Sequence, residues 1–179
     1  MERQLKRGIF PYNTAAHYNT DNFSCGHPEL DTFLQTGLAR QQNNNMLRAQ
    51  VILSDDPIPE IMGYYTLSSG SYEKSGMSGT RQRQVPYQNT PCILLGRLAV
   101  DRRLQGKGMG AILVAHAAKT AYVAAQAIGV YSLFAEAKDE NAGAFYAKLG
   151  FIKIATTDSR LMYFYPTNTL SDLASRFPF

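Results

Sequence analysis

The segment Gln105-Gly106-Lys107-Gly108-Met109-Gly110 limits what this chain can fold into more than any other. It separates a nearly unbroken apolar run, 93–100, from an alanine-rich stretch, 110–128. The run reads as a central strand, covered on both faces. The stretch places Leu113, Ala117, Ala121, Ala124 and Ile128 on one stripe, so it reads as a helix packed closely on a sheet. Glycines let a backbone approach a ligand, and the first amides of a helix have no partner within it. With the positive end of the helix dipole, such a junction forms a socket for phosphate oxygens.

The remaining pattern is that of one α+β (α/β) domain. At 179 residues and 45% apolar content, a single core is expected over 1–179, with its motifs in 92–165 and a weakly patterned tail at 166–179. Leu30, Phe33, Leu34 and Leu38 mark a helix over 28–38, with a second short helix to Asn43. Strands at 50–53 and 61–69 flank the turn Asp55-Asp56-Pro57-Ile58-Pro59 as a hairpin. Residues 70–91 read as a long loop, a feature usually functional or disordered. A strand at 130–135 follows the alanine-rich helix, which makes it parallel to 93–100. A short helix over 140–149 stops at Gly150, and 151–154 with 161–165 form a last hairpin.

Composition excludes several classes. No apolar run approaches the roughly 18 residues of a membrane span. Met1 to Arg7 is basic, but no signal-peptide core follows it. Two cysteines, Cys25 and Cys92, make no disulfide framework, so a cytoplasmic setting is expected. No spacing suggests a metal site. The net charge of +4 is unevenly placed: Arg81, Arg83, Arg97, Arg102, Arg103 and Lys107 lie in a stretch whose only acid is Asp101. That stretch is either a solvated basic loop or a surface for phosphates.

Three phosphate sockets compete. A P-loop needs Gly-x-x-x-x-Gly-Lys-Ser/Thr, which is absent. Gly106-x-Gly108-x-x-Ala111 fits a dinucleotide fingerprint, with Glu136 as the ribose-binding acid. Against it, Asp101 to Gln105 intervene after the strand, and only one strand–helix–strand unit is visible. The third socket is carried by a resemblance. Val100 to Gly110 resembles the acetyl-coenzyme A motif of the GNAT acetyltransferases, Gln/Arg-x-x-Gly-x-Gly/Ala, with Gln105, Gly108 and Gly110 in its fixed positions. Phe145-Tyr146-Ala147-Lys148-Leu149-Gly150-Phe151 is similar to the Phe/Leu-Tyr-x-x-x-Gly-Phe signature of the same family. The stretches 23–34, 63–67 and 96–101 are similar to the GNAT toxins of bacterial toxin–antitoxin pairs.

The resemblance implies a GNAT fold: a central mixed, splayed sheet of about six to seven strands flanked by helices. It implies acetyl transfer from acetyl-CoA to the α-amino group of an aminoacyl-tRNA, which blocks translation. Charged tRNA, a ribbon–helix–helix antitoxin and a homodimer are the implied partners. An acceptor that is a small amine or a protein N-terminus is the alternative within the enzyme class, and a non-catalytic coenzyme-binding module lies outside it. Coenzyme contacts are expected from Leu98, Ala99, Val100, Arg102, Arg103, Gln105, Gly106, Lys107, Gly108, Met109, Gly110 and Tyr146. Many relatives carry Asn seven residues before the tyrosine; here Asp139 stands there, and Asn141 is the nearby coenzyme candidate. Tyr146 is the catalytic candidate, donating toward the leaving sulfur. With reference pKa values of about 10 and about 8.5, full proton transfer is uphill by roughly 2 kcal/mol, so a strengthening hydrogen bond is the expected role. An α-amino group needs no strong base; Glu136 or a water relay would serve. Arg97, interrupting the apolar strand, suits a phosphate-bearing acceptor, and Arg81, Arg83 and Lys74 extend that track, with Tyr72 and Tyr87 for stacking.

Overall fold

The computed structural model describes residues 3–176; the outermost positions of the expected domain, 1–2 and 177–179, lie outside them. In chain order the elements are β1 (Phe10–Pro11), α1 (Pro28–Thr36), α2 (Leu38–Asn43), β2 (Arg48–Leu53), β3 (Ile61–Glu73), α3 (Gly79–Gln84), β4 (Asn89–Val100), α4 (Met109–Ala124), β5 (Ser132–Ala137), α5 (Glu140–Lys148), β6 (Ile152–Ile154), β7 (Leu161–Pro166) and α6 (Leu170–Ser175). The strands form one mixed sheet in the order β1-β2-β3-β4-β5-β7-β6. Within it β4 and β5 are parallel, because α4 carries the chain back between them. Both expected hairpins form, and β7 inserts between β5 and β6.

Side chains alternate between the two faces of the sheet. Ile93, Leu95, Leu133 and Ala135 face α4 and α6, where Leu113, Ala117 and Ala121 are fully buried. Alanines at these positions let the helix axis come close. Cys92 and Phe134 point to the opposite face, onto Met77, Val85 and Phe164. On that face α1 and α2 cover β2 and β3 through Leu30, Leu34, Val51 and Tyr64. Leu94 and Glu136 lie between these two coverings and border open grooves.

Three expectations are corrected. The stretch 70–91 is not a loop: β3 runs on to Glu73, β4 begins at Asn89, and a 3-10 turn (Lys74–Gly76) and α3 join them. Backbone pairing holds this extension, so Ser, Gly and Tyr suffice without an apolar pattern. The tail is not featureless either. In α6, Leu170 and Leu173 are fully buried against the α4 side, each stabilising by roughly 1.5–3 kcal/mol. The boundaries of α4 and β5 shift to Met109–Ala124 and Ser132–Ala137. Short β1 carried no periodic signal. Among the described residues no helix is long and apolar enough to cross a membrane.

Candidate active site

A wedge opens in the middle of the sheet. β4 and β5 pair only from Cys92↔Ser132 to Leu95↔Ala135. At the next residue the β3–β4 register shifts: Leu67 pairs with Leu95 and Thr66 with Arg97, so Gly96 is the extra residue of a bulge. Beyond it β4 stays with β3 while β5 stays with β7. The Asp101 amide donates to the Met62 carbonyl at 2.9 Å. By alternation, Leu98 and Val100 then turn away from β3 into the wedge; the Val100 carbonyl there already accepts from the Gln105 side chain, which leaves the Leu98 amide and carbonyl and the Val100 amide as an edge on which an extended ligand can pair. Ala99 is different from expectation: its backbone pairs toward Tyr64 and its side chain is buried, so it faces away from the wedge.

A slot of about 100 Å³ passes through the wedge, with His27 and Leu30 on the α1 side and Ala142, Phe145 and Tyr146 on the α5 side. Tyr146 is 6% exposed. Its ring is wedged among Phe145, Phe151 and Tyr163, with centroids 5.3, 5.2 and 6.2 Å away. Among the described residues its hydroxyl makes no hydrogen bond. Burial pushes the phenol well above its ordinary value, so it stays protonated and can donate a hydrogen bond. That shift makes full proton transfer harder than reference values suggest. Glu136 and Lys138 border the opposite mouth, where Lys138 pairs with Glu29.

The phosphate socket sits at the end of β4. Gly106 and Gly108 have φ of +78° and +79°, which L side chains rarely adopt, and a Cβ on either would meet nothing within 4 Å. Open space at both fits a site for a bulky ligand. The first amides of α4, on Met109, Gly110 and Ala111, find no carbonyl within the helix. A Cβ on Gly110 would lie 3.4 Å from the Phe145 ring, which ties the socket to the tyrosine helix.

Other expected coenzyme residues are committed to the fold. The Gln105 side chain donates to the carbonyls of Cys25 and Val100, both at 2.8 Å, and its amide donates to Arg102. Its side chain braces the turn that forms the socket. Arg103 binds Asp101 at 2.8 Å and Glu60 at 2.6 Å, and Arg3 also pairs with Glu60. Burial alone would raise the Asp101 carboxyl, but hydrogen bonds from the Arg103 side chain and amide and from the Ser24 amide outweigh it and hold the group below its ordinary value. Arg102 and Lys107 are exposed beside the socket. Asn141 is exposed in the first turn of α5. Asp139 accepts from the Ala142 amide at 2.8 Å and caps α5.

The expected basic track is not continuous. Arg97 stacks its guanidinium 3.6 Å over the Phe33 ring and faces the slot mouth. Lys74 donates to the Val85 carbonyl at 2.9 Å, and Arg81 lies over Phe164 and binds the Tyr131 hydroxyl. Arg81 thus sits on the β7 side of the sheet, where Phe164 is in register with Phe134 and Leu94, whereas Arg97 lies past the Gly96 bulge against α1; Arg83 is on α3. Tyr72 is stacked on Phe134 and bound to Ser132, while Tyr87 is exposed. Instead, Arg97 shares an open groove of about 680 Å³ with Arg40 and the Lys138–Glu29 pair, so its net positive charge comes from Arg40 and Arg97. Arg40 and Lys138 had no local signal; α2 and the end of β5 meet only in the folded chain. Among the described residues no group of acids, histidines or cysteines could hold a metal ion.

The model of the acetyltransferase (GNAT) domain matches residues 55–153. A protein of Mycobacterium tuberculosis (strain ATCC 25618 / H37Rv) named tRNA-acetylating toxin is 35% identical over 76% of this chain and 80% of its own length. The structure of AtaT complexed with acetyl-methionyl-tRNAfMet is 40% identical, with a TM-score of 0.87 over 93% of this chain and 98% of that one. AtaTR bound with AcCoA is also 40% identical, with a TM-score of 0.82 over 97% and 99%. A splayed sheet, a left-handed glycine turn opening α4 and a buried tyrosine on α5 accord with these matches, and the chain belongs to the GNAT acetyltransferase family.

Proposed function

We propose that this enzyme transfers acetyl from acetyl-CoA to the α-amino group of an amino acid esterified to tRNA, and that it acts as the toxin of a toxin–antitoxin pair. The observation that carries the reading is the slot through the sheet, with Tyr146 on one side and, at its other mouth, a groove made cationic by Arg40 and Arg97, since Lys138 there is paired with Glu29. A cationic groove favours a phosphate-bearing acceptor over a free polyamine. The name of the mycobacterial relative, tRNA-acetylating toxin, supports the same acceptor.

Acetyl-CoA, when bound, supplies an acetyl thioester. The amides at Gly106 to Ala111 would hold its pyrophosphate, with Arg102 and Lys107 adding charge, and the wedge edge at Leu98 and Val100 would align its arm. Tyr146 donates a hydrogen bond where negative charge gathers on sulfur. The proton lost by the amine passes to Glu136 or to water at the slot mouth. An α-amino group has a pKa of roughly 7.7–8.0, so a useful fraction is neutral without a strong base. An antitoxin of the ribbon–helix–helix type, a homodimeric state and a cytoplasmic setting complete the proposal.

The test uses labelled acetyl-CoA with bulk charged tRNA. Label should appear in an ester that mild base releases as an N-acetyl amino acid, and Arg97→Ala should raise KM more than it lowers kcat, with steep salt dependence. Label on polyamines or protein N-termini, with none on charged tRNA, overturns the reading.

A further inference from the structure

The pair of Lys138 with Glu29 joins the two walls of the slot at its mouth. Glu29 stands in the first turn of α1, between His27 and Leu30 of one wall. Lys138 follows the last residue of β5 and precedes Asp139, the cap of α5, whose Ala142, Phe145 and Tyr146 form the other wall. Lys138 lines both the slot and the groove of Arg40 and Arg97, and Glu29 lines that groove. The two spaces also share Leu30, Gly96 and Arg97, so an acceptor that runs from one into the other passes the pair. The Lys138 and Glu29 side chains are 39% and 58% exposed. A pair so exposed gains little, because hydration and the freedom of two long side chains offset it. It can be exchanged for another partner at little cost.

In an aminoacyl-tRNA only one ribose separates the ester from the nearest phosphate. With the α-amine in the slot, that phosphate comes to the mouth, beside the pair. We infer that Lys138 changes partner there: it leaves Glu29 and binds the phosphate of the terminal nucleotide, an inference that rests on the aminoacyl-tRNA reading. Before the exchange Lys138 is neutralised, and only Arg40 and Arg97 make the groove cationic. After it Lys138 is a third cation on the acceptor's path, and the exposed Glu29 carboxylate returns to water. The phosphate offers oxygens for charge-assisted hydrogen bonds, as the carboxylate does. Held at the mouth by the rest of the acceptor, it competes at high effective concentration. Glu29 is then an internal competitor, which lowers the affinity of Lys138 for any anion not delivered in this way. An amine without a phosphate has nothing with which to part the pair.

The experiment measures kcat/KM for charged tRNA, at several salt concentrations, with the unaltered enzyme, Glu29→Gln, Lys138→Gln and the double variant. Both side chains are exposed, so all four proteins should fold. Glu29→Gln frees Lys138 and should raise kcat/KM about two- to fivefold. Lys138→Gln should lower it most, because the phosphate then meets an unpaired Glu29. The double variant decides. The phosphate contact is lost from it, so kcat/KM should fall at least about threefold and the salt slope should shrink by about one. A pair that stays closed is neutral, as the two glutamines are. The double variant would then match the unaltered enzyme in rate and slope, and that match overturns the inference. The second substrate is the aminoacyl ester of adenosine, which has no phosphate, made with the amino acid found in the tRNA product. The double variant should lower the tRNA-to-ester ratio of kcat/KM at least about threefold. An unchanged ratio assigns its loss to the slot wall and also overturns the inference. These results leave acetylation of charged tRNA standing, whereas failure of the unaltered enzyme to acetylate any charged tRNA overturns that reading and this one together.

Discussion

Replacing Tyr146 by Phe removes one oxygen from the slot and keeps the ring that packs on Phe145, Phe151 and Tyr163. Because no partner for the hydroxyl is found among the described residues, no protein donor or acceptor is orphaned, and the fold should change by less than about 1 kcal/mol. The socket for phosphate lies on α4, away from that oxygen, so acetyl-CoA should bind within about twofold of normal. The hydroxyl would act where charge develops, and loss of one preorganised donor typically costs about 2.7–4 kcal/mol, or 10²–10³ in rate. Thermal melting, calorimetry with acetyl-CoA and single-turnover acetyl transfer read these three quantities separately. Transfer within about threefold of normal would refute the reasoning. So would a large loss accompanied by equally weakened acetyl-CoA binding, since the oxygen would then be part of the binding site. Burial keeps the phenol protonated, so the unaltered enzyme should show no falling limb from tyrosine ionisation below pH 10.

Gly108→Ala forces a side chain into φ of +79°, which should cost about 1–2 kcal/mol in stability and weaken acetyl-CoA binding at least about tenfold, because the new methyl enters the ligand's space. Titration by calorimetry checks it against Gly110→Ala, a helical position that should melt near normally. Asp101→Asn breaks the pair with Arg103 and should destabilise by about 3 kcal/mol in denaturant melts, allowing for the partial exposure of Arg103. The Asp101 carboxyl is depressed in the fold, so its stabilisation is present above its ordinary value of 3.8 and is lost as pH falls through the lower folded value. The unaltered protein should therefore lose stability below about pH 4 more steeply than the Asn variant. Leu173→Ala in α6 should cost about 2–5 kcal/mol in the same melts, a size that a featureless tail would not give.

The local parts of the site were legible in the amino-acid order. Two glycines between an apolar strand and an alanine-rich helix require a left-handed turn at a helix start. The helix in turn makes the flanking strands parallel. Tyr146 stood out through the resemblance of 145–151 to a family signature, and the cap at Gly150 showed only where its helix stops. These features depend on backbone conformation and side-chain periodicity over a few residues, which neighbours in sequence determine. Charges depend on partners that the order of residues does not place. Arg103 looked like a phosphate ligand until Glu60, 43 positions away, was brought beside it. Lys74 and Arg81 looked like neighbours of Arg97 until the β3–β4 connection tied them to Val85, Tyr131 and Phe164 instead. Arg40 and Lys138 had no signal until α2 met the end of β5. The wedge itself comes from one extra residue, Gly96, whose effect exists only where β3 and β5 pull β4's two sides apart. Turn, helix and tyrosine were thus determined by the sequence; which cations meet an acceptor was decided by tertiary structure, because electrostatic partners are chosen through space.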